Sequence, residues 1–166
     1  YRGFTAMHIT EHLVKNGVTS GYINMGGTIH MIGTKPDGNP WQTVITQHFD
    51  GVTPMGVVNL KDQATSSATM DDRGFVKGIS IYRHLVDLET GEMHKSGLHS
   101  VTCISDSAWF ADMLTTAIFL VGPSRSEKLL EDVFAEAGIR VNYAAVEGNG
   151  RVHISPGLDI LPPDGV

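Results

Sequence analysis

Only one of the 166 residues is cysteine, Cys103, so no internal disulfide can form and a disulfide-stapled mini-domain is excluded. No apolar run approaches the ~18 residues a membrane-crossing helix needs, so this stretch of sequence carries no transmembrane segment. Basic residues are few: Lys and Arg number 12 against 18 Asp and Glu, for a net charge of −6. That balance suggests no basic face for nucleic acid. An initiator Met is also lacking, and YRGFTAMHITEHLVKNG reads as a helix already under way. The expectation is a portion of a longer chain whose targeting segment lies elsewhere.

What is present is ordinary globular composition, 41% hydrophobic and 18% charged, in a length that suits one domain with a real core. Phe4, Ile9, Leu13 and Val14 recur at helical spacing over residues 4–16, and Gly17 follows as a stop. SGYINMGGTIHMIG (20–33) predicts two strands around a Gly-Gly break. Further strands are expected over 41–49, 55–61, 63–70, 79–88 and 99–105, with a polar loop at 71–78. Helices follow at 107–121, capped by Ser107 and ended by Gly122-Pro123, and at 124–137, with Leu129, Leu130 and Val133 on one face. Residues 141–148 and 151–155 form a closing hairpin over GNG, and the tail GLDILPPDGV reads as turn-rich and loose. No fixed-period repeat and no domain boundary is evident. Strands joined mostly by hairpin turns predict an α+β fold, a largely antiparallel sheet flanked by helices.

One helix poses a chemical question. In AWFADMLTTAIFLV (108–121), 11 of 14 residues are apolar, yet Asp112 and Thr116 stand at i and i+4 on one face. An all-apolar helix is expected to be buried, and a buried carboxylate needs compensation. A cation would supply it: carboxylate plus hydroxyl is hard-oxygen chemistry suited to Mg²⁺. The alternative is structural. Asp112 lies within two turns of the helix N-terminus, where negative charge is favoured, and Thr116 can bond back to the carbonyl at 112.

The context of that helix resembles the signature of the ApbE family, the FAD:protein FMN transferases: SVTCISDSAWFADMLTTAIFLVG is similar to a strand S-V-T-V, a loop, then A-D-x-L-(S/T)-T-A and an apolar run ending in Gly. Three more blocks follow the family's order. These are VTSGYINMGGTIHMIG (18–33), DQATSSATM (62–70) and YRHLVDLETGEM (82–93), and the start resembles K-G-(Y/F)-A-x-D with its helix. The resemblance spans about 1–122 and implies an ApbE-like, T-fold-related fold, of which this chain is the C-terminal portion.

The resemblance also implies roles. Asp112 and Thr116 would hold Mg²⁺ against the diphosphate of FAD, the substrate. His84 would be the acid/base beside a Thr or Ser hydroxyl of a flavin-accepting redox protein, with AMP released; by itself it reads more readily as a structural strand histidine. Gly26 and Gly27 would let backbone approach the ligand, or form a plain bulge. Thr65 and Ser66 would offer hydroxyls near the nucleotide, and Arg2 stands where the family has a phosphate-pairing lysine. The other histidines, among them His8, His12, His30 and His153, show no ligand spacing and read as solvated. Two departures stand out: Met7 replaces the family's aspartate, and Thr28 its acidic residue after Gly-Gly. They keep two other functions in view, flavin binding without turnover and hydrolysis of FAD to FMN and AMP. Family members are commonly lipoproteins outside the cytoplasmic membrane, which gives the expectation for localisation.

Overall fold

Small residues decide how the first helix packs. In the computed structural model, which describes residues 1–46, 53–70, 75–77, 80–82, 85–86, 90–92 and 96–163, helix α1 runs Arg2–Lys15 and buries Gly3, Ala6 and Thr10. The large residues that mark its helical period, Phe4, Ile9 and Val14, are exposed. The core-facing stripe is therefore the small-residue face, which lets α1 come close to its neighbours.

Strands β1 (Gly21–Asn24), β2 (Thr28–Ile32), β5 (Ala64–Thr69), β8 (Leu98–Ser105), β9 (Val141–Glu147) and β10 (Val152–Ile154) form one sheet in the order β1-β2-β5-β8-β9-β10. Every pairing in it is antiparallel. Strands β3 (Trp41–Thr46) and β4 (Pro54–Leu60) make a separate hairpin, and β6 (Phe75–Lys77) pairs with β7 (Ser80–Tyr82). The last pair puts a short strand inside the expected polar loop 71–78. The expected α+β fold with an antiparallel sheet is thus the observed one.

Alternation along the strands gives the sheet two faces. Val101, Cys103, Tyr143 and Ala145 point to the helices, α1, α2 (Ala108–Val121) and α3 (Pro123–Ala137). Met31, Ile104 and Ala144 point the other way, onto Ile45, Val58 and Leu60 of the β3–β4 hairpin. Helix α2 starts as expected, with the Ser107 hydroxyl accepting from the Phe110 N–H. Gly122, at φ 75°, ends it and opens α3, whose Pro123 occupies the first turn. The described part of the tail, residues 157–163, is tied down. Leu161 and Val57 exchange backbone hydrogen bonds of 2.9 and 3.0 Å, and Leu158 and Ile160 pack on the hairpin-side core. Apolar residues at 158, 160 and 161 outweigh the turn-forming composition around them.

Candidate active site

The aspartate of α2 lies where three elements meet. Helix α2 buries Ala111, Leu114, Thr115 and Ile118, but Trp109 (44% exposed) and Met113 (43%) face outward. The helix is therefore half-buried rather than enclosed, and Asp112 sits at the boundary with its side chain 22% exposed. Gly3 of α1 crosses α2 at this level. A Cβ there would lie 2.1 Å from the Ala108 carbonyl oxygen and 2.6 Å from the Asp112 Cβ, so only glycine permits the crossing. The crossing aims the Gly3 N–H at Asp112 Oδ2, 2.8 Å away.

One more donor reaches the same carboxylate, the Thr28 hydroxyl of β2 at 3.3 Å on Oδ1. Burial pushes the Asp112 carboxyl up, but hydrogen bonding, the Gly3 N–H foremost, holds it below the usual aspartate value. The compensation the sequence demands is thus met in part by the protein itself. Thr28 and Ser66 share a hydroxyl–hydroxyl bond of 3.0 Å, and the Ser66 carbonyl accepts from the Thr115 hydroxyl at 3.1 Å. Back-bonding within α2 is made by Thr115, whose hydroxyl also donates to the Ala111 carbonyl at 2.7 Å. Thr116 is instead exposed and lines, with Tyr1, Trp109, Asp112 and Met113, a groove of about 440 Å³.

The remaining expected site residues divide. Gly26 and Gly27 form the β1–β2 turn at φ 67° and 106°, in the left-handed region that favours glycine. The Arg2 guanidinium donates to the Gly26 carbonyl, and the Ser67 N–H donates to the Gly27 carbonyl at 2.9 Å. Arg2, the glycine turn, Ser66, Asp112 and Thr116 therefore cluster around the start of α1. Thr65 does not join them. It pairs with Ile29 and Ile104, so it faces the β3–β4 hairpin, on the side of the sheet opposite Ser66. His84 lies outside the described residues.

Sequence reasoning missed Gly3 and Thr28 as parts of the site. Thr28 looked like a loss, yet its hydroxyl serves the carboxylate directly. A glycine at the second residue of an amphipathic helix was the available signal for Gly3. Met7 packs against the helix-side core and accepts a long bond from the Ser107 hydroxyl, 3.9 Å to Sδ. Nor is every other histidine solvated: His30 is buried, and His153 is half-buried and bonded to Glu147 at 2.6 Å.

The donor set suits a hard cation shared with phosphate. One carboxylate and one hydroxyl stand at i and i+4 on a groove, and no group of three or more His, Cys, Asp or Glu side chains among the described residues could form an all-protein cage. Mg²⁺ characteristically takes one or two carboxylates and completes its shell with water and substrate phosphate.

A model of the ApbE family matches residues 1–139. The chain belongs to the ApbE family. It is 24% identical over 149 residues to the FAD:protein FMN transferase of Klebsiella pneumoniae, covering 89% of this chain and 41% of that protein. With the FAD:protein FMN transferase of Treponema pallidum it shares 27% identity, covering 88% of this chain and 45% of that one. Among solved structures, the ApbE protein of Thermotoga maritima superposes with a TM-score of 0.77 at 26% identity, over 93% of this chain and 48% of the other. The apo flavinyl transferase ApbE of Pseudomonas stutzeri gives 0.70 at 27% identity, over 92% and 46%. This chain thus spans about half the length of the family members it matches.

Proposed function

We propose that the protein transfers FMN from FAD to a Thr or Ser hydroxyl of a flavin-accepting redox protein, releasing AMP. The observation that carries this is the placement of Asp112 and Thr116 on one groove, beside Arg2 and the glycine turn, inside the stretch that matches the family. In the reaction the acceptor oxygen forms a bond to the FMN phosphorus, the bond from that phosphorus to the bridging oxygen breaks, and AMP leaves with that oxygen. The acceptor hydroxyl gives up its proton to a base. His84 is our choice for the base, on the family resemblance alone.

The residues described here bind and orient. Asp112 and Thr116 would hold Mg²⁺, which when bound neutralises diphosphate charge. Gly3 and Thr28 keep the Asp112 carboxylate ionised and fixed in direction. Arg2, tied to the Gly26 carbonyl by one nitrogen, has further N–H donors for a phosphate oxygen. Trp109, half-exposed on the same groove, offers apolar ring surface for one of the ring systems of FAD. Thr28 in place of an acidic residue leaves Asp112 without a like-charged neighbour among the described residues, which favours a working metal ligand. We place the protein outside the bacterial cytoplasmic membrane, lipid-anchored, by the family resemblance alone.

The test uses the full-length protein with FAD, Mg²⁺ and a Thr-containing acceptor, and an EDTA control. Transfer requires an acceptor mass gain equal to FMN with matching AMP, both lost in EDTA. AMP without acceptor modification would indicate hydrolysis. Bound FAD with neither product would indicate a binding domain.

A further inference from the structure

Beneath Asp112 lies a chain of buried hydroxyls. Thr28 of β2 (1% exposed), Ser66 of β5 (3%) and Thr115 of α2 (2%) are as enclosed as the apolar core around them, and none of the three lines the Asp112 groove. Thr28 and Ser66 are direct cross-strand partners, with their hydroxyl oxygens 3.0 Å apart. Apolar residues of similar shape would fill this space without desolvating three hydroxyls. Their placement under a carboxylate calls for a reason.

Counting protons gives the chain a direction. An ionised carboxylate only accepts, so the single Thr28 hydroxyl proton goes to Asp112 Oδ1, 3.3 Å away. The Thr28 oxygen can then only accept from Ser66, and the one Ser66 hydroxyl proton is spent on it. The order is Ser66 to Thr28 to Asp112. Ser66 has no proton left for a phosphate oxygen.

Ser66 also holds the helix that carries the carboxylate. Its carbonyl accepts from the Thr115 hydroxyl at 3.1 Å, and that hydroxyl is shared with the carbonyl of Ala111, the residue before Asp112. One residue of β5 thus fixes both the turn of α2 that bears Asp112 and the donor that meets its Oδ1. The Gly3 N–H fixes the other oxygen from α1. Each carboxylate oxygen keeps a further lone pair for a cation.

We propose that Ser66 is a positioning residue for the metal site, acting through Thr28 to set the direction of the Asp112 carboxylate, and not a contact to the nucleotide. The inference rests on the reading of Asp112 as a Mg²⁺ ligand. Removing a partner that orients a metal ligand typically changes metal affinity or activity by about 10- to 100-fold.

The test is a double-mutant cycle on the full-length protein, with Mn²⁺ as the probe and its binding read by electron paramagnetic resonance without FAD or acceptor. Ser66→Ala and Thr28→Val should each weaken Mn²⁺ binding by about 10-fold, and the double variant should bind no worse than Thr28→Val alone. Thr28→Ser keeps the hydroxyl and should bind as the wild type does. Thr102→Val breaks the Ser67–Thr102 hydroxyl pair (2.8 Å) on the opposite face of the sheet and should leave the affinity unchanged. Far-UV circular dichroism checks the fold; Ser66→Cys, a weak donor of similar shape, should show a loss of the same sign if the alanine variant does not fold. In the transfer assay Ser66→Ala should raise the half-saturating Mg²⁺ concentration, with the KM for FAD at saturating Mg²⁺ unchanged. Undiminished Mn²⁺ binding in Ser66→Ala overturns the proposal. So does a loss that adds to that of Thr28→Val, and so does a raised KM for FAD at saturating Mg²⁺. Equal Mn²⁺ binding by the wild type and Asp112→Asn would overturn the metal reading itself, and this inference with it.

Discussion

The two ends of the α1–β2 seam are provisioned in opposite ways. At one end Asp112 receives two donors, from Gly3 and Thr28. At the other, Thr10 and His30 are as deeply buried as core residues and have polar atoms with no partner among the described residues. The difference teaches that burial alone does not identify a working polar site. The carboxylate is held ionised before any ligand arrives, as a site for charged chemistry must be. The hydroxyl and imidazole nitrogen carry instead the cost of burial without a partner among the described residues.

The strongest way to break this contrast is to neutralise the fixed charge. Asp112→Asn preserves size and most hydrogen bonding, and it should lower FMN transfer by about 100-fold or more and weaken Mg²⁺-dependent FAD binding, with the fold kept by far-UV circular dichroism. Parallel AMP and acceptor-mass assays check it; near-normal turnover would remove Asp112 from the metal site. Next is the crossing that delivers the Gly3 donor. Gly3→Ala drives a methyl into the Ala108 carbonyl and should cost about 3 kcal/mol of stability, read by urea unfolding. A cost below about 0.5 kcal/mol would mean that α1 and α2 can separate cheaply.

Smaller effects sharpen the comparison. Thr28→Val removes a hydroxyl shared with Asp112 and Ser66 and should cost about 1 kcal/mol. It should also let the Asp112 carboxyl rise towards its ordinary value, visible by carboxyl NMR. The two ends then predict two acid limbs. Asp112 is depressed, so its contribution is complete above the unfolded aspartate value and is lost as pH falls through the lower folded one. His30 is also depressed, and the unfolded histidine binds its proton first. Stability should decline as pH drops below about 6.5 and level off only below the folded value. His30→Gln should flatten the higher limb and Asp112→Asn the lower one; a single variant that flattened both would show the ends to be coupled.

Much of this was legible in the sequence because local signals agreed. Ser107, Gly122-Pro123 and Gly138 bounded α2 and α3 to within a residue, and strand alternation with hairpin turns indicated the antiparallel sheet. What hid was tertiary. Phe4, Ile9 and Val14 formed an apparent apolar stripe, yet α1 buries Gly3, Ala6 and Thr10, because the close crossing with α2 selects small residues. Leu161 is held by Val57, more than a hundred positions away, which no local pattern can announce. In the site, the i,i+4 pair Asp112 and Thr116 was readable from helical geometry. The separation of Thr65 from Ser66 follows from strand alternation, but which of the two faced the helices required the pairing with Thr28 and Cys103. Thr28 read as a missing acid because a hydroxyl's worth depends on the carboxylate across from it.

The most direct measurement compares the wild-type full-length protein with Asp112→Asn in the same FAD, Mg²⁺ and acceptor assay, by intact-mass spectrometry of the acceptor. Flavin transfer through this site predicts an FMN-sized gain on the wild-type reaction, abolished by EDTA and reduced about 100-fold or more in the variant. An unmodified acceptor with the wild-type protein, or equal modification by both proteins, would contradict it.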